Sequence, residues 1–146
     1  MMDKILITCM ICSFCIGLKG QNLEKHLWKH RVVLIKSPLH DQTQVKDLID
    51  DVDALMDRKL VVYQFYGTTF TLIDHNQVPG KRTGQVSSEA SLHFSDVGNE
   101  FELVLIGLDG GVKMRKTKMV SKDEIFALID GMPMRKAELN NRNKMN

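Results

Sequence analysis

The fold is decided by residues 101–139, which read FELVLIGLDGGVKMRKTKMVSKDEIFALIDGMPMRKAEL. The first six residues are apolar apart from Glu102, and after Asp109 the segment VKMRK alternates apolar with basic residues. This alternation is typical of a strand with one buried face. The pattern predicts a β-hairpin whose turn needs positive φ angles at Gly110 and Gly111.

Two helices are predicted after this hairpin. Ser121 and Glu124 have the spacing of a capping box, and the apolar residues that follow recur at helical spacing. We expect Gly131 to end this helix and Pro133, which needs no hydrogen bond from its nitrogen, to open the next. Residues 140–146 are polar, and we expect them to form a frayed tail.

The residues before the hairpin predict a strand, a helix and a second strand. Residues 31–35, RVVLI, have the β-branched character of a buried strand. Apolar residues then recur with helical spacing from Val45 to Met56, which predicts one amphipathic helix capped by Asp41. Residues 60–65 form the second strand, and a unit of this kind implies parallel pairing through a right-handed crossover.

The segment between the second strand and the hairpin carries the weakest pattern. Residues 78–81 and 84–85 are read as exposed loop, and residues 88–94 as a short helix. The order of strand, helix, strand, short helix, hairpin and helix is that of an α/β thioredoxin-like domain with a mixed sheet and flanking helices. We expect this single domain to occupy residues 21–139.

The N-terminal residues have the pattern of a secretory signal peptide. Lys4 precedes an apolar run at residues 5–18 that is too short to cross a membrane comfortably, and polar residues follow from Lys19. We therefore expect residues 1–20 to be cleaved, the product to be secreted or periplasmic, and no membrane span to remain. A retained N-terminal anchor is the less favoured alternative.

All three cysteines, Cys9, Cys12 and Cys15, lie inside the predicted signal peptide. Cleavage would leave a chain without thiols, so neither disulfides nor thiol chemistry is expected. The cleaved chain would carry 18 basic and 17 acidic residues, a formal charge of +1. This balance gives no support to a nucleic-acid partner, and no metal or cofactor motif is present.

Four segments carry a resemblance to a known family. They are Trp28 with RVVLI (31–35), DRKLVV (57–62), LIGLDGGVK (105–113) and IDGMPMR (129–135). The chain resembles the peroxiredoxin-like domain of unknown function (DUF4174-type) that secreted bacterial proteins share with vertebrate sushi-repeat-containing and Equarin-type matrix proteins. The resemblance implies structural roles for Trp28, Arg31, Asp109, Gly110, Gly111, Asp130, Pro133 and Met134. The chain departs from the family pattern at Leu108, where the resemblance leads us to expect a lysine.

The resemblance to peroxiredoxins implies a reactive thiol after the first strand, and this chain has none there. Residues 37–44 read SPLHDQTQ. The resemblance also implies a proline directly before the strand that begins at Phe101, but residues 98–100 read GNE. Ser37, His40 and Asp41 include the residue types of a hydrolytic triad, but no nucleophile-elbow motif surrounds Ser37. We therefore interpret this loop as a turn and a helix cap, with no catalytic residue.

Two further groups of polar residues are candidates for binding. His26 and His30 have the spacing of a zinc pair, with His40, His75 or His93 as further ligands, but we favour a surface pair with Trp28 packed inward. Basic side chains, of which we single out Lys113, Arg115 and Arg135, could bind an anionic surface or protein. We expect a non-catalytic binding module with an unknown protein or surface partner; the alternative is an oxidoreductase-related protein acting without its own cysteine.

Overall fold

The computed structural model describes residues 23–37, 43–76, 80–86, 94 and 100–145. Its strands are β1 (Arg31–Lys36), β2 (Leu60–Tyr66), β3 (Thr69–Ile73), β4 (Lys81–Gln85), β5 (Glu102–Ile106) and β6 (Val112–Lys116). Its helices are α1 (Thr43–Ile49), α2 (Val52–Asp57), α3 (Lys122–Asp130) and α4 (Pro133–Met145). A 3₁₀ turn at Leu23–His26 precedes β1.

The six strands form one mixed sheet in the order β4-β3-β2-β1-β5-β6. β1 and β2 are parallel, while the other neighbours pair antiparallel. The predicted parallel unit and the β5–β6 hairpin are therefore confirmed. β1 and β5 are interior strands of the sheet, and their side chains are buried on both of its faces.

The two faces of the sheet carry separate apolar clusters. On one face, alternate residues of the strands such as Val33 and Leu105 pack against Val45, Leu55 and Ile125 of the helices. We call this the helix face. The other face presents Val32, Leu34, Tyr63, Phe65, Leu72, Val104 and Ile106. The 3₁₀ turn lies over this second face, because Leu23 packs against its cluster and His26 bonds to Tyr63.

The predicted single helix at residues 45–56 is wrong, since the structure divides it into α1 and α2. Asp51 caps α2, and its carboxylate accepts a hydrogen bond from the Ala54 amide at 3.4 Å. An aspartate that bonds nearby backbone amides begins a new helix instead of continuing the old one. Helical spacing of apolar residues alone does not reveal this break.

The middle of the chain holds a hairpin that the sequence pattern did not predict. β3 follows β2 through a turn in which Gly67 has φ +56°, and β4 continues the sheet at residues read as loop. β4 is a mostly exposed outer strand, so it lacks the apolar alternation on which strand prediction depends. The predicted cap at Asp41, residues 88–93 of the predicted short helix, and residues 1–20 lie outside the described residues.

The C-terminal helices begin where the sequence predicts. Ser121 accepts a hydrogen bond from the Glu124 amide at 3.2 Å, and Pro133 opens α4. Gly131 ends α3, with φ of −76°. The predicted frayed tail is wrong for residues 140–145, because α4 continues to Met145 and Arg142 pairs with Asp57. Across the described residues, every helix is too short or too polar to span a bilayer.

Candidate functional site

The loop after β1 is where the family resemblance implies a reactive thiol. Ser37 lies there and is buried, while Pro38, Leu39, His40 and Asp41 are outside the described residues. The distances among Ser37, His40 and Asp41, the three residue types of a triad, therefore lie outside the described structure. What the sequence establishes is that residues 37–44 include no cysteine.

The positive φ predicted for the β5–β6 turn is confirmed at Gly110 and wrong at Gly111. Gly110 has φ +77°, whereas Gly111 does not have positive φ. The Gly107 amide donates to the Gly111 carbonyl at 2.9 Å, and the Gly111 amide donates to the Asp109 carboxylate at 3.0 Å. Asp109 thus closes the turn, which gives this motif residue a structural role.

Two of the three basic candidates lie on β6 and are partly exposed. Lys113 pairs with Asp109 at 2.8 Å, and Arg115 pairs with the fully buried carboxylate of Glu102. Residues two apart on a strand lie on the same face, so Lys113 and Arg115 share one side of the sheet. The hydrogen bond from Lys113 holds the pKa of Asp109 below its usual value.

The third candidate, Arg135, is only 2% exposed and so does not lie on the surface. Its guanidinium donates to the Asp57 carbonyl at 2.7 Å and to the carboxylates of Asp57 and Asp130. Arg31, which is 1% exposed, donates to the Arg58 carbonyl at 2.8 Å and pairs with Glu138. We call the following residues the charged cluster: Arg31, Asp57, Arg58, Asp130, Arg135 and Glu138.

The charged cluster joins motifs that are far apart in the sequence. Arg31 begins β1, Asp57 and Arg58 end α2, and Asp130 and Arg135 flank the start of α4. The guanidinium carbon of Arg58 also lies 4.3 Å from the centre of the Phe126 ring. Three of the four segments that carry the family resemblance therefore converge here. The sequence analysis did not single out Glu138. Its position three residues after Arg135 on α4 is the spacing of an ion pair on a helix and could have indicated it.

The pKa values of this cluster follow from its pairing. Burial alone would raise the pKa of Asp57, but hydrogen bonds from Arg142 and Arg135 outweigh it and lower that pKa. The pKa of Asp130 is lowered in the same way, with burial opposed by Arg58 and Arg135. Both carboxylates, which are partly exposed, are therefore held ionised by their arginine partners.

A second polar cluster lies on the other face of the sheet and consists of His26, His30 and Tyr63, the histidine cluster. The Nδ1 atoms of His26 and His30 are 3.1 Å apart, and Nε2 of His26 is 2.6 Å from the Tyr63 hydroxyl. All three side chains are buried. The predicted surface histidine pair is therefore wrong, because β2 supplies a hydrogen-bonding partner 37 residues away.

Burial keeps the histidine cluster neutral. It lowers the pKa of His26 to about 4, and the positive charge of Lys25 and the neighbouring His30 act in the same direction. Burial also lowers the pKa of His30, against an opposing effect of Asp74. An imidazole with a lowered pKa is uncharged at neutral pH, so each ring has one donor and one acceptor nitrogen.

Trp28 points away from the core, which corrects the prediction that it packs inward. Its side chain is 62% exposed and its φ is +61°, a conformation that tryptophan rarely adopts. The Trp28 amide donates to the carbonyl of buried Leu108 at 2.7 Å. The motif tryptophan is thus tied to the β5–β6 turn through its backbone. Met134, another motif residue, is 42% exposed on α4.

A cavity of about 160 Å³ opens beside the histidine cluster. His26, His30 and Glu24 line it together with the apolar side chains of Leu23 and Leu27. Val32 of β1, Ile106 of β5 and the turn residues Gly107 and Gly110 complete the wall. Among the described residues, no three histidine, cysteine, aspartate or glutamate side chains are grouped as metal ligands would be.

The comparisons with solved structures concern the fold. Reduced 2-Cys peroxiredoxin from Plasmodium vivax superposes with a TM-score of 0.52 and 19% identity, over 79% of this chain and 84% of that one. The mitochondrial 2-Cys peroxiredoxin from Plasmodium falciparum gives 0.51 and 13%, over 74% and 78%. These values confirm the thioredoxin-like fold.

Comparison with curated proteins found no match. One family description covers residues 22–138, which is most of the chain and includes the charged cluster, the histidine cluster and the β5–β6 turn. The chain therefore belongs to the family described as "Domain of unknown function (DUF4174)".

Proposed function

We propose that this chain is an exported, non-catalytic thioredoxin-like module that binds a protein or an anionic surface. One observation carries the proposal: residues 22–138, which match the family, contain no cysteine although their fold is that of peroxiredoxins. Thiol-based reduction begins with a thiolate, and no other side chain replaces it in that chemistry. A fold that keeps its shape without its nucleophile is suited to binding.

The β6 surface supports binding to an anionic partner. β6 is the last strand in the sheet order, and Val112 at its start is 48% exposed. Lys113 and Arg115 project from this strand and are partly exposed. Exposed ion pairs contribute little to stability, so carboxylates of a partner can replace Asp109 as the partner of Lys113. Arg135 is left out of this surface because it is buried.

Export is the second part of the proposal and is supported by the apolar run at residues 5–18. Protein recovered from the medium or the cell envelope should begin near residue 21. Mature protein that retained Met1 would contradict both the export proposal and the loss of the three cysteines.

The binding experiment compares the double variant Lys113→Glu, Arg115→Glu with wild type. In pull-downs from envelope or matrix extracts, wild type should enrich a defined partner and the variant should lose it. A matched control, Lys136→Glu with Lys144→Glu, makes the same change of charge on exposed residues of α4 and should retain binding. Equal retention by both variants would exclude the β6 surface as the binding site.

Anionic vesicles distinguish the two kinds of partner. Sedimentation with vesicles that contain phosphatidylserine, lost in the β6 variant and at high salt, would assign a membrane-like surface as the partner. Enrichment of a protein without vesicle binding would assign a protein. The alternative, an oxidoreductase-related protein that depends on a partner's thiol, predicts instead a mixed-disulfide complex that reductant dissolves.

A further inference from the structure

We propose that the cavity beside His26 and His30 binds a small, neutral, single-ring molecule that carries a hydroxyl group, a phenol in the simplest case. The cavity lies on the face of the sheet opposite the three helices α1 to α3. The inference goes beyond the binding of a partner at β6 and does not depend on it.

The size of the cavity fits one six-membered ring. Its volume is about 160 Å³. An apolar protein cavity of roughly 150 Å³ is known to hold benzene, which sets the scale for a ligand of this class. A bicyclic or longer molecule would extend beyond the walls into solvent.

The walls are largely apolar and are kept open by glycine. Leu23, Leu27, Val32 and Ile106 present aliphatic carbon to the space. A Cβ atom at Gly110 would come within 3.0 Å of the Leu27 Cδ1 atom, so a side chain at this position would crowd the wall. The apolar surface favours a ring over a polar ligand, because burial of aromatic carbon is stabilising.

The polar part of the wall favours a ligand that carries a hydroxyl group. In one tautomeric arrangement, Tyr63 donates to His26, His26 donates to Nδ1 of His30, and Nε2 of His30 is a donor. In the reverse arrangement, Nε2 of His30 is an acceptor. His30 lines the cavity, and its contact with His26 is made through Nδ1, so Nε2 is the ring nitrogen left for a ligand. A hydroxyl both donates and accepts, so it satisfies either arrangement.

The charges around the cavity favour a neutral ligand. Glu24 is one of the lining residues and its negative charge disfavours an anion, whereas Lys25 and Lys29 lie close enough to oppose a positive charge on the histidines. The histidines themselves are held uncharged by burial, so they offer no counter-charge. The described residues of the wall include no lysine or arginine, so an anionic ring would lose its hydration without an ion pair inside the cavity.

An NMR titration tests the proposal with three probes of the same ring: phenol, benzene and benzoate. In wild-type protein at neutral pH, phenol should shift the Ile106 methyl and His30 ring resonances to saturation. Phenol should bind about fivefold more tightly than benzene, which is the effect of one hydrogen bond. Benzoate should bind at least tenfold more weakly than phenol. Tighter binding of benzoate, or phenol shifts that do not saturate, would overturn the proposal.

Two variants locate the binding. His30→Ala should retain benzene binding and lose the preference for phenol, while His75→Ala, outside the cavity wall, should behave as wild type. Leu27→Phe should fill the space and weaken both ligands at least tenfold; Leu27 is partly exposed and tolerates the larger side chain. Unchanged phenol affinity in Leu27→Phe would place the ligand elsewhere and contradict the proposal, even if His30→Ala failed to fold.

Discussion

The charged cluster and the histidine cluster lie on opposite faces of one sheet and bury polar groups in opposite ways. The charged cluster keeps full charges, each held by a partner, and ties α2, α3 and α4 to the start of β1. The histidine cluster contains only neutral groups and borders a cavity. The difference indicates that the first maintains the fold, whereas the second leaves space for a ligand.

The largest effect should come from removing Arg135. The change Arg135→Met removes a buried guanidinium that bonds the Asp57 carbonyl and the partly exposed carboxylates of Asp57 and Asp130. We expect a loss of about 2–4 kcal/mol in the free energy of unfolding, because hydrogen bonds to charged groups are among the stronger ones and the Asp57 carbonyl loses its donor. Urea denaturation monitored by circular dichroism measures it. The control Arg142→Met removes only a half-exposed partner of Asp57 and should lose less than about 1 kcal/mol. Equal losses in the two variants would mean that burial of the cluster does not matter.

The two clusters should lose their contributions to the free energy of unfolding in different pH ranges. The folded pKa of His26, about 4, lies below the ordinary value of 6.5, so its neutral form stabilises the fold above pH 6.5. This stability is lost as the pH falls from 6.5 towards 4. After allowance for screening we expect a loss of about 2 kcal/mol. The charged groups that act on His26 are Lys25, Asp74 and Arg82, with His30 as the titrating neighbour.

The carboxylates respond in a lower range. The pKa values of Asp57 and Asp130 are lowered on folding, so their contribution is present above about pH 4 and is lost below it. His26→Phe should therefore flatten the stability profile between pH 6.5 and 4 and leave the steep loss below pH 4. Denaturant midpoints across this range measure both parts. An unaltered slope above pH 4 in His26→Phe would show that another group titrates there.

A smaller loss is expected at the turn that borders the cavity. Gly110 has φ +77°, which a β-branched residue tolerates poorly, so Gly110→Val should reduce stability by about 1–3 kcal/mol. Gly131→Ala is the matched control, because Gly131 has an ordinary helical φ and its change should have an effect within about 1 kcal/mol. If the denaturation midpoint of Gly110→Val equalled that of wild type, the turn would not require glycine.

The smallest effect should be that of added salt on the stability with which the C-terminal end of α4 is attached. No apolar side chain of this helix is buried, and partly exposed pairs such as Arg142–Asp57 and Lys59–Glu138 help to hold it. Salt screens exposed pairs, so 1 M NaCl should weaken this attachment by less than about 1 kcal/mol. Amide exchange should speed up at residues 139–145 before it changes in β1. Exchange that rose equally in both would place the effect on global stability.

Much of the fold could be predicted because its central strands have strong local patterns. β1, β2 and β5 are apolar runs, and Ser121 and Pro133 mark helix starts that the structure reproduces. β4 could not be predicted in this way, since its residues KRTGQ are polar and form a strand only by pairing with β3. The end of α4 depends similarly on the pairing of Arg142 with Asp57.

Less of the candidate site than of the fold could be predicted from the sequence. The spacing of His26 and His30 drew attention to them, but their burial depends on Tyr63, a distant residue that no local pattern connects to them. Trp28 is exposed because its backbone, not its ring, makes the contact with Leu108. The motif strings were informative in a different way, because Arg31, Asp130 and Arg135 proved to be members of one cluster.

The central claim is that the peroxiredoxin-like fold is retained here without its thiol chemistry, and a peroxide-consumption assay tests it most directly. Purified residues 21–146, which contain no cysteine, should consume hydrogen peroxide with dithiothreitol or a thioredoxin system no faster than buffer. A cysteine-containing peroxiredoxin serves as the positive control. Reproducible turnover that survives further purification and disappears in Ser37→Ala or His40→Ala would contradict the claim, because residues 37–44 would then perform chemistry without a thiolate.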